Sequence, residues 1–160
     1  MNNLSIRPAN TSDLPLLLTM IRELAEAEDF PYGVTVTEAG LRDSLFGVRP
    51  AAEALIGEAA GVPAAFAVFY ESFATTTGRR GLHLDDLFVR PGFQGAGYGK
   101  AMMAHVAGIA VARQCARFEW WALRSNASAL RFYENIGARQ MDELVVHRLQ
   151  DGDIARLAGS

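Results

Sequence analysis

The chain has 160 residues, a net charge of −3, and apolar side chains at half its positions. That composition supports one self-sufficient hydrophobic core, and it offers no basic stripe for nucleic acid and no apolar run long enough to cross a membrane. A lone cysteine, Cys115, rules out an internal disulfide. No Cys/His spacing suggests a metal site, so a reduced, cytoplasmic setting without metal is expected. The opening MNNLSIRPANTSD lacks a basic stretch followed by an apolar one, so no secretory leader is expected.

Leu4 to Arg7 reads as a first strand. Ser12 and Asp13 mark a helix start, Pro15 falls in the first turn, and LPLLLTMIRELAEAE continues with helical spacing to about Glu28. DFPYG breaks that helix. Thr37 is placed to cap a second helix that ends near Phe46. AAEALIGEA and VPAAFAVFYES, split at Gly61, read as a hairpin, and LHLDDLFV as a strand with two acids inside it. A glycine-rich segment follows, then a helix over 97–113 and a strand in ARFEWWAL. Asn126 starts a helix to Ile136, which Gly137 ends as a left-handed cap. ARQMDELVVHRL reads as a last strand and DGDIARLAGS as a frayed tail. The expected fold is a single α/β domain over 1–160: a mixed, mostly antiparallel sheet with splayed central strands and helices on both faces.

The glycine-rich segment is VRPGFQGAGYGK. A P-loop needs Ser or Thr after its lysine, yet Ala101 follows Lys100. A dinucleotide fingerprint needs a third glycine where Lys100 stands. Gln94-Gly95-Ala96-Gly97-Tyr98-Gly99, between a strand and a helix, instead resembles the acetyl-CoA-binding motif of the GNAT family of N-acetyltransferases. The physics is plain: glycines curl the backbone so that successive N–H groups line one concavity at a helix N-terminus, where anions are favoured. The resemblance implies that acetyl-CoA sets its pyrophosphate on Gln94–Lys100. Lys100 either adds a point charge there or stays solvated. The pantetheine arm would pair with the strand through Leu87, Phe88 and Val89, side chains that also suit an ordinary core.

RSNASALRFYENIGA resembles the second conserved stretch of that family, with Asn126 and Tyr133 at matching positions. Asn126 also reads as a helix cap and Tyr133 as a half-buried packing residue. The family places a tyrosine here beside the sulfur of CoA. A phenol, with a reference pKa of about 10, can protonate a thiolate whose acid lies near 8.5, so the resemblance implies Tyr133 as general acid. IRELAEAEDF, VTVTEAGLRDSLF and LDDLFVRPGFQGAGYG look like the spermidine/spermine branch, which includes diamine and thialysine acetyltransferases. That branch implies a homodimer.

Asp85 and Asp86 lie inside an apolar strand. Their side chains point to opposite faces unless a bulge intervenes, and a buried carboxylate is costly without a partner. An alkylammonium with a pKa near 10.4 must lose a proton before it attacks a thioester, and a carboxylate can take it directly or through water. The branch resemblance implies Asp85 as that base and Asp86, Glu28 and Asp142 as amine-binding acids. Glu28 reads equally as an exposed helix-end carboxylate, and the aspartate pair as a solvated edge. Ala27, Thr77 and Leu144 stand where the branch carries aromatic channel residues, so a smaller amine fits as well as a polyamine. His83 and His105 show no evident role. Trp120 and Trp121 read as core and sheet-face residues, Trp121 within reach of a substrate cleft. The function expected is acetyl transfer from acetyl-CoA to a small cationic amine. The rivals are a family member acting on a protein N-terminus or an antibiotic, and a non-catalytic acyl-CoA-binding module.

Overall fold

A computed structural model describes residues 3–29, 31 and 33–159. Part of the helix-breaking DFPYG segment, Phe30 and Tyr32, lies outside the described residues. The chain packs as two compact units, Met1–Asn126 and Ala127–Ser160.

The first unit holds β1 (Leu4–Pro8), α1 (Leu14–Ala27), α2 (Glu38–Phe46), β2 (Glu53–Ala59), β3 (Val62–Ala74), β4 (Arg79–Val89), α3 (Tyr98–Ala112) and β5 (Arg117–Trp120). The strands form one sheet in the order β1-β2-β3-β4-β5. The first four pair antiparallel, while β4 and β5 run parallel. Helices cover both faces. Leu14, Leu17, Met20 and Leu24 of α1, with Leu41 and Leu45 of α2, pack on Ala54, Ile56, Phe66, Val68 and Phe88. Met102, Met103, Val106 and Ala110 of α3 are buried at helical spacing. A Cβ at Gly57 of β2 would stand 3.0 Å from the Met102 sulfur, so a bare backbone there lets α3 approach the sheet. With both faces covered, β3 is a near-continuous apolar run from Ala64 to Phe69.

The helix starts follow their caps. Thr37 accepts from the Gly40 N–H at 3.1 Å. Before α1, Asn10 accepts from the Ser12 N–H at 2.9 Å, and its own N–H donates to Asp13 at 2.8 Å. Asp13 also ties this corner to the sheet. Arg7 of β1 donates to both of its carboxylate oxygens at 2.8 and 2.9 Å, and to Glu58 of β2. Asp13 is only 7% exposed. The Arg7 hydrogen bonds hold its carboxyl below the usual carboxylate range, against the effect of burial.

The second unit holds α4 (Ala127–Asn135) and α5 (Gly152–Leu157). Gly137 closes α4 at φ +88°, its N–H bonding the Glu134 carbonyl while the Ala138 N–H bonds that of Tyr133. These two bonds make the expected left-handed cap. Two expectations need correction. No strand forms in 138–149: Met141 to Leu144 closes a turn, and the consecutive Leu144, Val145 and Val146 break the alternation a half-buried strand requires. The tail is not frayed throughout, because Gly152–Leu157 is helical, with Asp153 in its first turn paired to Arg156 at 3.0 Å.

Replacing Asp13 with Ala leaves the Arg7 guanidinium short of a part-buried partner and should cost about 3 kcal/mol in urea unfolding at pH 7. A carboxyl whose folded pKa is depressed stabilises above its unfolded value of about 4 and loses that contribution as pH falls further. The gap between wild type and variant should therefore narrow below about pH 4.

Candidate active site

The site grows from one irregularity in β4. On its β3 side the ladder runs Phe69–Leu84 and then Val68–Asp86, so Asp85 is an extra residue, a β-bulge. On the other side β4 pairs with β5 only from Gly81–Arg117 to Leu84–Trp120. Past Leu84 the two strands part. This also corrects ARFEWWAL, of which only Arg117–Trp120 is strand. Leu87, Phe88 and Val89 remain paired to β3 and have no strand partner on their other side among the described residues. Their side chains divide. Phe88 is buried under α1 and meets Phe66 edge-on at 6.3 Å, while Leu87 and Val89 are half-buried.

β4 leads into the glycine loop through a single turn at Pro91–Phe93. Gln94 folds back, its side-chain amide donating to the Val89 carbonyl at 3.0 Å. Gly95 and Gly97 take φ of +81° and +80°, values that carry a strain penalty for other residues. Gly97 is the N-cap of α3, its carbonyl accepting from Ala101 at 3.0 Å. Tyr98, Gly99 and Lys100 therefore stand in the first turn, where amides have no intrahelical acceptor and the helix dipole favours an anion. Ala96 and Lys100 are exposed. The loop fits the pyrophosphate of a CoA thioester in backbone curvature and in field. Arg90, just before it, forms a two-pronged pair with Glu23 of α1 at 2.8 and 3.0 Å, tying the loop to that helix.

Alternation places the acids. Val68 and Phe88 face α1 and α2, so Asp86, opposite Val68 and two residues before Phe88, faces them too. Glu28 is half-buried at the C-terminal end of α1, whose last turn carries no basic residue. A carboxylate there opposes the helix dipole, so Glu28 does not serve the helix. Burial raises the Glu28 pKa. Asp86 is pushed up to about 7, first by burial and then by the charges of Asp85 and Glu28. Asp85 is exposed, and its charge, after burial, also raises Tyr70. Among the described residues none of these three acids is ion-paired. The structure thus gathers Glu28, Asp85 and Asp86 on one face, beside the break in the sheet. No group of three or more His, Cys, Asp or Glu stands in position to hold a metal among the described residues, nor is any helix there long and apolar enough to cross a membrane.

Sequence reasoning put Trp121 within reach of the cleft, gave His83 no role and overlooked Tyr70. Tyr70 and His83 are cross-strand partners, stacked with centroids 5.0 Å apart, and His83 meets Trp121 at 4.9 Å and 75°. Tyr70 stands on the same strand face as Phe66 and Val68, and the pairing register was needed to set it against His83. A cleft of about 270 Å³ opens nearby among Glu23, Glu26, Ala27, Phe88 and Pro91. A larger recess of about 680 Å³ lies at the far end of the β3–β4 hairpin and includes none of the site acids. Asn126 directly precedes α4. Tyr133 is half-buried on that helix against Phe132, and Asp142 is exposed in a turn, both within the second unit.

Asp86 should weaken the fold at high pH. A carboxyl whose folded pKa is raised is best tolerated while protonated, so its penalty grows as pH rises from about 4 to about 7 and is complete above. Asp86→Asn should therefore raise the melting temperature more at pH 8 than at pH 5, with a gain of no more than about 4 kcal/mol.

Comparison with known proteins agrees with this geometry. The sequence model of the Acetyltransferase (GNAT) family matches residues 18–138. The chain is 32% identical to the thialysine N-epsilon-acetyltransferase of Sus scrofa over 89% of its length and 88% of that protein. It is 30% identical to the human spermidine/spermine N(1)-acetyltransferase-like protein 1, over 86% of this chain and 21% of that one. The integron cassette protein VCH_CASS6 from the mobile metagenome of V. cholerae shares the fold at a TM-score of 0.78 and 24% identity, with 99% of both chains covered. The chain belongs to the GNAT family of N-acetyltransferases, enzymes that take acetyl-CoA as cosubstrate.

Proposed function

We propose that this enzyme acetylates a primary amine of a small cationic substrate, a diamine, polyamine or lysine analogue, by direct attack. The observation that carries the reading is the convergence of Asp85, Asp86 and Glu28 on one sheet face, unpaired with any base among the described residues. Such a site attracts an ammonium and holds a carboxylate able to take its proton near neutral pH. Asp85 acts as base directly or through water. Asp86, pushed up to about 7 by burial and by the charges of Asp85 and Glu28, lies beside it and can hold the proton near neutral pH. Glu28 and Asp142 bind the cation.

Acetyl-CoA supplies an acyl group activated as a thioester. Gln94 to Lys100 hold its pyrophosphate, Leu87 to Val89 offer backbone to its pantetheine arm, and an N–H near Leu87 polarises the carbonyl. Asn126 begins the helix that carries Tyr133, and Tyr133 protonates the leaving thiolate. Homodimerisation follows from the branch resemblance, and a cytoplasmic location from the lone cysteine.

Free-thiol release from acetyl-CoA, followed over diamines, polyamines, lysine and thialysine, tests the reading. Turnover of at least one supports it, and acetyl-CoA binding without thiol release from any amine would contradict it. Tyr133→Phe should lower kcat about 100-fold. Asp85→Asn should also lower kcat about 100-fold, and the acid limb of kcat/KM should lie near pH 7 and vanish in Asp86→Asn. Gly97→Ala, strained at φ +80°, should raise KM for acetyl-CoA about tenfold.

A further inference from the structure

We propose that Tyr70, His83 and Trp121 form a wall that receives the far, cationic end of the acceptor while its reacting nitrogen sits at the aspartate pair. The inference rests on the amine-acetylation reading above and adds the residues that select the rest of the substrate.

Three observations carry it. The first is placement. Tyr70 follows Val68 by two residues and pairs with His83, so both share the sheet face of Asp86. Trp121 joins them through His83. The second is direction. Along β4 the order is His83, Asp86, Val89, and the glycine loop follows Val89. The rings therefore lie on the side of the acids away from the cofactor loop, on the order of 10 Å from Asp86 at three residues of strand. An amine reacting beside the cofactor must send its tail that way or out to water.

The third is ring geometry. His83 is 7% exposed and lies nearly parallel to Tyr70, at 25°. Trp121 stands against it at 75° and remains 58% exposed. His83 is thus a buttress that fixes the angle of a solvent-exposed indole. Indole is the strongest cation-binding ring among the side chains. A bare alkyl tail would gain only contact area there, whereas a tail ending in an ammonium gains the ring's electrostatic attraction as well. Asp85, whose charge reaches Tyr70, adds a field of the same sense. Trp121 and Tyr70 are specificity residues in this account, and His83 is a positioning residue.

Cadaverine and n-pentylamine share a five-carbon chain and differ in the second ammonium, so their kcat/KM ratio isolates the tail contribution. Trp121→Leu should lower that ratio about tenfold, within the range of a cation–ring contact, and Trp121→Phe should keep most of it. His83→Ala should lower the ratio and His83→Phe restore it. Equal melting temperatures establish that the variants fold. Calorimetric binding of cadaverine, which needs no turnover, separates the two readings. If neither amine reacts but cadaverine binds about tenfold more weakly to Trp121→Leu, the wall stands and the acetylation reading falls. If both react with an unchanged ratio in Trp121→Leu, or cadaverine fails to bind the wild type, the wall is overturned.

Discussion

One extra residue in β4 organises the acidic face of the sheet. Without Asp85 as a bulge, strict alternation would send consecutive aspartates to opposite faces, one of them toward α3. With it, both charges act on the face that α1 covers. The same point is where β5 stops pairing with β4. A β-bulge strengthens local twist and interrupts a ladder, so the acids and the parting of the strands have a common origin. The backbone that leaves β5 continues into the glycine loop within a few residues. The proposed proton acceptor and the proposed cofactor cradle are thereby mounted on a single strand, which limits how far they can drift apart.

Gathering carboxylates is costly, and the surrounding structure offsets that cost. Asp86 sits beside two like charges and is partly buried, which is why its proton affinity rises to about 7. Elsewhere the fold pairs its charges well. Arg7 binds Asp13 and Glu58, Arg113 binds Glu53 and Glu71, and Arg90 binds Glu23. The Arg90 pair has a second consequence, because it couples the glycine loop to α1, the helix that ends in Glu28. Among the described residues the acids thus stand out as the unpaired group, while these part-buried ions are neutralised.

Local chemistry was legible in the sequence. Thr37 and Gly137 announced their helix ends, because capping depends on one or two residues. The glycine loop was legible for the same reason, its backbone curvature being written in Gly95 and Gly97. What depended on long-range pairing was not legible. The sharing of a face by Asp85 and Asp86 required the register of β3, and the Tyr70–His83 contact required the same register. The strand expected in 138–149 failed because apolar content was taken for alternation, although Leu144, Val145 and Val146 are consecutive. Glu28 had two equal readings in sequence. The structure half-buries it at the end of α1, where its charge raises Asp86.

The most direct test of this account is a crystal structure of the protein with CoA and a diamine bound together. The account predicts the pyrophosphate on the amides of the Gln94–Lys100 loop, the pantetheine arm against the backbone of Leu87–Val89, and an ammonium within hydrogen-bond distance of Asp86. A diamine seated away from both aspartates, or a pyrophosphate bound anywhere but the glycine loop, would contradict it.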